Sequence, residues 1–298
     1  MRWYIAILWF LLRVIGRVPL RGLHACGAGL GRVLWWMRGK VRRHVEINLR
    51  LALPSYAEEE RDRTARRTII ETGKSIVEIA GIWGRGAQRA LTLVREVRGE
   101  ALFDAARLSG RGLIVAAPHL GCWELLNFWL CSRTDIAIVY RPPRHAAIEP
   151  LLVRARGDLA PEQVRAEGAG IRTLYKRLQK GGVVGILPDQ LPKQGEGEFA
   201  PFFGVPALTM VLLSRLAQRT GCEVLFAFAE RLDHGEGFRI HFLPAPQAIA
   251  ADDLPTAVAA LNRGVEDCAN VALTQYQWHY KRYQYRPTPD EPNPYWRG

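Results

Sequence analysis

Several common catalytic and metal-binding signatures are missing from this sequence of 298 residues. It has no GxSxG elbow, no GxxxxGK[ST] phosphate loop, no HExxH zinc motif and no GxGxxG after a strand-like run. These absences remove the main support for a serine hydrolase, a P-loop nucleotidase, a zinc peptidase and a dinucleotide-binding enzyme. The five cysteines are odd in number, form no CxxC pair and lie near no histidine at zinc-ligand spacing. We therefore expect no disulfide framework, no metal, no cofactor, and a reducing compartment.

Acidic residues are scarce in the first 50 positions. This segment holds ten Lys or Arg residues and a single acid, Glu46, so it carries a net charge of +9 within a chain of net charge +12. It is also strongly apolar, since residues 3–12 carry no charge. A membrane-spanning helix wants about 20 predominantly apolar residues. Arg13 and the two arginines that follow it interrupt the run before that length is reached.

An amphipathic helix at an anionic membrane surface is the interpretation that these charges favour. Arg2, Arg13 and Arg17 fall within a narrow arc of a helix, which leaves the aromatic and aliphatic side chains for the other face. Such a helix binds in the bilayer interface, with its arginines at anionic headgroups. One alternative is an ordinary core helix with a stripe of arginines facing solvent. Another is a cleaved signal peptide, although no A-x-A-like site follows the apolar run.

The rest of the chain alternates between strand-like and helix-compatible segments. This order predicts an α/β fold with a mixed, largely parallel central sheet and helices on both faces. Ser55 and Glu58 form a capping box that predicts a helix through about residue 83. The predicted strands are 113–117, 136–139, 183–187, 224–228 and 238–242, and further helices are predicted near 120–131, 170–180, 207–219 and 255–273.

One segment places a histidine directly after a predicted strand. The apolar run ends at Pro118, His119 follows in a turn, and Glu124 lies at the start of a helical pattern. Open α/β sheets bind their ligands beyond the carboxyl ends of strands. A carboxylate that holds one imidazole nitrogen fixes the tautomer, so the other nitrogen can take a proton from a hydroxyl. We predict that His119 is a general base oriented by Glu124; the alternative is a structural histidine at a helix start.

Other polar residues also follow predicted strands. Arg141 could hold an anionic group such as a phosphate through its fork of donors, or could form a surface salt bridge. Asp189 and Gln190 follow another strand and should face the same edge of the sheet, although an acid in this position can be a simple turn former. Cys122 is an alternative nucleophile, but a lone cysteine among Gly and Trp is more often a small packed residue.

Together these motifs resemble the late acyltransferases of lipid A biosynthesis, the lauroyl and myristoyl transferases, which belong to the glycerolipid-type acyltransferases with an H-x4-[DE] dyad. The resemblance extends over nearly the whole chain. It includes the dyad, Tyr140–Pro142, GILPDQ at 185–190, PFFG at 201–204, Thr209 and the aromatic-basic block YQWHYKRY at 276–283. With the charge pattern and the four prolines of the final segment, this predicts a basic, apolar membrane-associating helical segment over 1–50, an acyltransferase domain over 51–285 and a proline-rich, extended tail over 286–298.

The resemblance also implies the reaction and its partners. A fatty acyl chain would pass from acyl carrier protein to a hydroxyl of a lipid A precursor or related glycolipid, at the cytoplasmic face of the inner membrane and without a covalent acyl-enzyme. Nucleic acid is not an expected partner. The predicted substrate-binding residues are Arg141, Asp189, Gln190, Phe202, Phe203, Thr209, Trp278, Lys281 and Arg282.

These residues leave some alternatives open. The phenylalanine pair 202–203 could line an acyl groove, although core packing is the commoner fate of such a pair. The interleaved aromatic and basic residues at 278–283 favour a membrane headgroup surface over nucleic acid. A thioesterase could use the same dyad, and a non-enzymatic membrane-binding or nucleic-acid-binding protein would explain the charge. An acyltransferase could also act on another acceptor, such as lysophosphatidate or a glycosylated phosphatidylinositol. The acyl chain length and the accepting hydroxyl are not indicated by any residue.

Overall fold

Apolar runs of four to nine residues form the centre of the molecule. The computed structural model describes residues 3–140, 154, 159, 161–192, 195–288 and 290–296. The strands within these residues are β1 (Val94–Arg98), β2 (Leu113–Ala116), β3 (Ile136–Tyr140), β4 (Glu162–Arg165), β5 (Val183–Ile186), β6 (Gly197–Phe202), β7 (Val205–Met210), β8 (Glu223–Arg231) and β9 (Phe238–Pro244).

Seven of these strands form one sheet, in the order β1-β9-β8-β2-β5-β3-β4. Neighbouring strands are parallel except for β8 and β9, which pair antiparallel. Strands β6 and β7 form a separate antiparallel hairpin. The predicted α/β fold with a largely parallel sheet is confirmed, and so are the five strands predicted from apolar runs.

Helices cover the sheet. They are α1 (Trp3–Ile15), α2 (Leu20–Trp36), α3 (Lys40–Ala52), α4 (Glu58–Arg85), α5 (Ala87–Leu91), α6 (Glu100–Leu108), α7 (Trp123–Arg133), α8 (Ala169–Gln179), α9 (Leu212–Thr220) and α10 (Leu254–Val271).

Alternate residues of the buried strands face two different helical layers, as the two-residue period of a strand requires. On one face, Ile114 and Val184 belong to a core that includes side chains of α3, α8, α9 and α10. On the other face, Leu113, Val115 and Val183 belong to a core that includes side chains of α6 and α7. The prediction of helices on both faces is therefore confirmed.

Two local predictions are wrong. The helix expected over 207–219 begins only at Leu212, because residues 205–210 form β7 and pair with β6. The capping box predicted from Ser55 and Glu58 is absent: α4 begins at Glu58, its N-cap is Ala57, and no side chain caps it.

Backbone contact between glycines joins α2 to α4. A Cβ atom built on Gly73 would lie 2.3 Å from the carbonyl oxygen of Gly27 and 2.5 Å from the amide nitrogen of Gly31. Any side chain at Gly73 would therefore force the two helices apart.

A buried ion network adds to this contact. Glu78 of α4 lies 2.9 Å from Nε2 of His24 in α2, and it pairs with Arg231 at the end of β8 at 2.5 Å. Together with the glycine contacts, these bonds fix α2, α4 and the sheet to one another.

The outer face of α1 is apolar and basic. Ile7, Leu8, Phe10, Leu11 and Val14 are exposed on this helix. Arg13 near its end is exposed as well, and so is Arg17, which follows the helix. Within the described residues, no helix combines the length and the hydropathy needed to cross a membrane.

The proline-rich C-terminal segment is packed against the domain near its end. Tyr295 is buried, and its hydroxyl accepts a hydrogen bond from the main-chain N–H of Tyr283 at 3.1 Å and donates to the side chain of Asn48 in α3. One aromatic side chain thus attaches this segment to two distant parts of the fold.

Candidate active site

The turn of residues 117–122, between β2 and α7, carries the predicted catalytic histidine. It is tied to β8 because the main-chain N–H of Cys122 donates to the carbonyl oxygen of Ala229 over 2.9 Å. Gly121 has a φ of +61°, and a Cβ atom there would lie 2.0 Å from the same carbonyl oxygen. Only glycine permits both this conformation and this approach. The turn is therefore fixed beyond the carboxyl end of β2.

His119 is held by Asp189, which follows β5. The ring Nδ1 lies 2.8 Å from Oδ1 of Asp189, and the main-chain N–H of His119 donates to Oδ2 at 2.9 Å. Asp189 is 3% exposed. Burial opposes its ionisation, but the charge of His119 and the two hydrogen bonds lower the pKa of Asp189 below its ordinary value. An ionised carboxylate only accepts hydrogen bonds, so Nδ1 carries the proton and Nε2 is the basic nitrogen.

One glutamine side chain contacts that basic nitrogen, and a second glutamine holds the first. Nε2 of Gln190 lies 3.1 Å from Nε2 of His119, and it also donates to Oε1 of Gln277 at 3.1 Å. The main-chain N–H of Gln277 donates to the carbonyl oxygen of His119 at 3.0 Å. Gln277 belongs to the aromatic-basic block, in which sequence reasoning singled out its neighbours but not this amide.

Glu124 lies in the first turn of α7 and lines the same cavity as His119. It is 4% exposed, and its Oε2 accepts a hydrogen bond from the indole Nε1 of Trp83 at 3.0 Å. The H-x4-E spacing therefore brings both residues to one site. The contact that the structure gives to Nδ1 of His119 is with Asp189, and the role of Glu124 in orienting the histidine stays a prediction.

A cavity of about 1260 Å³ opens at this edge of the sheet and is lined by His119, Glu124 and Gln190. On the side of α7 it is apolar. Val115, Gly185 and Ile138 lie in register across β2, β5 and β3, and all three line the cavity together with Leu126 and Leu130 of α7. Because glycine has no side chain, the middle strand leaves a gap in this row.

On the other side, between α8 and α9, the cavity has a basic rim of four residues: Arg172, Lys176, Arg215 and Arg219. All four are exposed. Within the part of the chain that the structure describes, none of them forms an ion pair or hydrogen bond with another side chain. Four exposed cations are thus concentrated at the rim, and Glu167 and Glu196 line the same cavity.

Several predicted substrate-binding residues are not among those that line this cavity. Arg141 is outside the described residues. The cavity-lining residues among those described do not include Phe202, Phe203, Thr209, Trp278, Lys281 or Arg282.

Most of that set packs in the core. Phe202, Thr209, Trp278 and Arg282 are at most 3% exposed. The Arg282 guanidinium donates to Oγ1 of Thr209 at 2.6 Å and to Oδ1 of Asn262 at 3.0 Å, which ties the β6–β7 hairpin to α10. The interpretation of this block as a headgroup surface is wrong for Trp278, Arg282 and Tyr283, because all three are buried.

Cys122 does not fit the role of a nucleophile. Its side chain is fully buried, and it is not among the described residues that line the cavity. Burial first, and then the charge of Glu78, raise the pKa of the Cys122 thiol well above its ordinary value. The thiol is protonated and cannot reach a substrate in the cavity.

The described residues offer no cluster of metal ligands. No three His, Cys, Asp or Glu side chains within them form a group that could hold a metal ion. The cavity edge holds the imidazole of His119 and the carboxylates of Asp189 and Glu124.

The chain is similar to known bacterial acyltransferases over nearly its whole length. The sequence profile of the bacterial lipid A biosynthesis acyltransferases matches residues 1–285. The lipid A biosynthesis lauroyltransferase of Escherichia coli is 26% identical over 284 residues, which cover 95% of this chain and 90% of that protein. The palmitoleoyltransferase of the same organism is 26% identical over 80% of this chain and 78% of its own length.

A relative with a different name is also similar. The phosphatidylinositol mannoside acyltransferase of Mycobacterium tuberculosis is 27% identical over 205 residues, which cover 66% of this chain and 61% of that protein. Because the family profile covers nearly all of the sequence, from the N-terminal helices to the aromatic-basic block, the chain belongs to the bacterial lipid A biosynthesis acyltransferases, and it is an acyltransferase.

Proposed function

We propose that this enzyme transfers a fatty acyl chain from acyl carrier protein to a hydroxyl of a lipid A precursor, at the cytoplasmic face of the inner membrane. The observation that carries the proposal is the histidine at the cavity edge. His119 is fixed by Asp189 through Nδ1, and its basic Nε2 faces a cavity that is apolar on one side and rimmed by cations on the other.

The reaction follows from this geometry. Nε2 of His119 takes the proton of the acceptor hydroxyl while the hydroxyl oxygen attacks the thioester carbonyl carbon. Asp189 stabilises the imidazolium that forms, as the acid of a catalytic triad does. When the tetrahedral intermediate collapses, the carbon–sulfur bond breaks and the imidazolium returns its proton to the leaving thiolate. No covalent acyl-enzyme is needed. The Glu124 carboxylate, which lines the same cavity, also favours the imidazolium.

The apolar side of the cavity suits the acyl chain. Val115, Leu126, Leu130 and Ile138 offer hydrocarbon surface next to the site of proton transfer, and burial of each CH₂ group contributes about 0.8 kcal/mol. These four residues, and not the predicted Phe202 and Phe203, therefore form the proposed acyl groove.

The basic rim suits the donor. Acyl carrier proteins are acidic, and a concentration of cations at a cavity mouth speeds the encounter with an acidic partner. Arg172 and Lys176 of α8 and Arg215 and Arg219 of α9 provide that charge.

The outer face of α1 supports the proposal that the enzyme binds a membrane surface. Its exposed apolar side chains lie next to the exposed Arg13, and Trp36 and Met37 at the end of α2 are 82% and 64% exposed. Aromatic and basic side chains on one face are typical of helices that bind in an anionic interface.

Purified enzyme with an acyl carrier protein thioester, assayed with and without a lipid A precursor, tests the proposal. We expect acylated lipid when both substrates are present. Free fatty acid as the main product would indicate a thioesterase instead, and no product from any acceptor would indicate a non-enzymatic role. Parallel assays with a mannosylated phosphatidylinositol test the second candidate acceptor, which the similarity to the mycobacterial enzyme favours.

A further inference from the structure

The side-chain amide of Gln190 contacts the basic nitrogen of His119, and Gln277 accepts a hydrogen bond from the same amide. We propose that this pair is a positioning device that keeps water away from Nε2 until the acceptor hydroxyl displaces Gln190. The inference rests on the proposed function of His119 as the general base. It assigns to Gln190 and Gln277 the suppression of thioester hydrolysis, which is the competing reaction of the same site.

The hydrogen positions in this network are determined by its partners. Asp189 accepts the proton of Nδ1 over 2.8 Å, so Nε2 of His119 has only a lone pair to offer. The group facing it at 3.1 Å must donate, and the side-chain amide nitrogen of Gln190 does so. The second N–H of the same amide points to Oε1 of Gln277 at 3.1 Å. Reversal of the Gln190 amide would place an acceptor against both of these acceptors.

Gln277 is itself held in place. Its main-chain N–H donates to the carbonyl oxygen of His119 at 3.0 Å. On one side its neighbour Tyr276 forms a β-bridge with Leu120, and on the other side Trp278 is 1% exposed in the core. The main chain of Gln277 is therefore fixed to the turn that carries His119. From this position its side chain directs the Gln190 amide toward Nε2.

A small oxygen nucleophile cannot reach Nε2 while Gln190 donates to it. Water lacks further contacts to offset the lost hydrogen bond, which is worth about 0.5–1.5 kcal/mol. A lipid acceptor brings its whole bound surface, so its hydroxyl can replace the amide. Base access is thus coupled to acceptor binding, and a bound thioester is protected from hydrolysis until the acceptor arrives.

The test measures fatty acid release from an acyl carrier protein thioester without acceptor. We expect Gln190→Ala and Gln277→Leu to raise the hydrolysis rate about fivefold, the change that loss of one hydrogen bond of this strength predicts. Gln218→Ala is the matched control, because Gln218 is exposed and bonds Asp252 away from the cavity.

A pH profile separates this role from a merely structural one. The Gln190 N–H favours the unprotonated imidazole, so its removal should move the acid limb of the hydrolysis profile of Gln190→Ala to higher pH. Unchanged or reduced hydrolysis in both folded variants, Gln190→Ala and Gln277→Leu, would overturn the inference. Failure of the parental enzyme to acylate any lipid would instead refute the proposed function, so the two failures are distinguishable.

Discussion

Asp189 lies 70 residues after His119 in the chain, yet its carboxylate accepts from both the ring and the main chain of that histidine. Both bonds depend on β5 lying beside β2 in the sheet, because each residue follows one of these strands. His119, the proposed general base, is thus oriented by strand order rather than by local sequence.

Substitution tests His119 and each of the two carboxylates of the site. His119→Ala should lower kcat by about 10²- to 10⁴-fold, since positioned proton transfer contributes that much. Asp189→Asn should lose a similar factor, because the charge that supports the imidazolium and the acceptor for Nδ1–H are both impaired. Glu124→Gln keeps its shape and should also lose much of the activity. Initial rates with donor and lipid acceptor are the measurement.

Cys122→Ala is the control for this series, because direct transfer needs no thiol. It should keep most of the parental rate. A parental rate in Glu124→Gln would remove Glu124 from the mechanism, and loss of turnover in a folded Cys122→Ala variant would contradict direct transfer.

Gly185 should influence the preferred acyl chain. A Cβ atom there would lie 3.2 Å from Cγ1 of Ile138, which must then move into the apolar side of the cavity. We expect Gly185→Ala to lower the specificity constant for the longest accepted chain about tenfold relative to the next shorter even-numbered chain. Ile138→Val added to Gly185→Ala should restore part of the original preference. A uniform loss over all chain lengths would argue against an acyl chain in this gap.

The basic rim should act on the carrier protein and not on the acyl group. Arg172→Glu with Lys176→Glu should lower kcat/KM for the acyl carrier protein thioester by about tenfold or more at low salt, while the coenzyme A thioester should respond less. Arg66→Glu with Arg67→Glu makes the same charge change on exposed residues of α4 and should have little effect. Equal losses with both donors would remove the ground for a carrier-protein contact at the rim.

Membrane binding should depend on the outer face of α1. Replacing exposed Leu8 and Phe10 by Glu should release the protein from anionic vesicles, because apolar burial is lost and negative charge is added. High salt alone should not release the parental protein, since screening weakens only the arginine contribution. Leu108→Glu, at another exposed apolar residue, is the control in vesicle sedimentation. If the parental protein does not sediment with anionic vesicles at low salt, the proposed membrane binding by α1 is wrong.

The Glu78–Arg231 pair predicts a pH dependence of stability. Burial opposes ionisation of Glu78, but the Arg231 charge and hydrogen bonds from His24 and Arg231 lower its pKa from 4.5 to about 2. A depressed carboxylate pKa stabilises the fold fully above the unfolded value, and the stabilisation is lost as pH falls through the folded value. Glu78→Gln should cost about 3–5 kcal/mol near pH 7, because it leaves Arg231 buried without its main partner.

Urea unfolding of the parental and Glu78→Gln proteins measures this difference. It should be constant above about pH 5 and shrink as the pH falls from 4.5 toward 2. A difference that stays unchanged over this range would show that the lost packing, and not the charge, accounts for the destabilisation.

Sequence patterns were sufficient for the strands at the centre of the sheet, because those strands are continuous apolar runs. Strands β1 and β4 were missed, since VREVR and EQVR are charged and lie at the two edges, where only one side is paired. The β6–β7 hairpin was missed because Pro201 and Pro206 weaken the strand pattern.

The candidate site was predictable in part. The strand–His–helix order located His119 and Glu124 at one cavity, but the Asp189 contact depends on which strands are neighbours, and no local pattern specifies that order. Arg282 and Trp278 were expected at a surface because alternating aromatic and basic residues usually remain solvated. Arg282 bonds Thr209, and Trp278 packs against Phe202 and Phe203; these partners come from a distant segment, so the burial is a tertiary effect.

The glycine contacts between α2 and α4 leave no layer of side chains that could slide or repack. Below them, α4 continues to Trp83, whose indole bonds Glu124 inside the cavity. Close backbone contact at Gly73 of α4 and the Trp83 bond further along it therefore connect α2 to the cavity through a single helix. A displacement of α2 would be passed along α4 to Glu124.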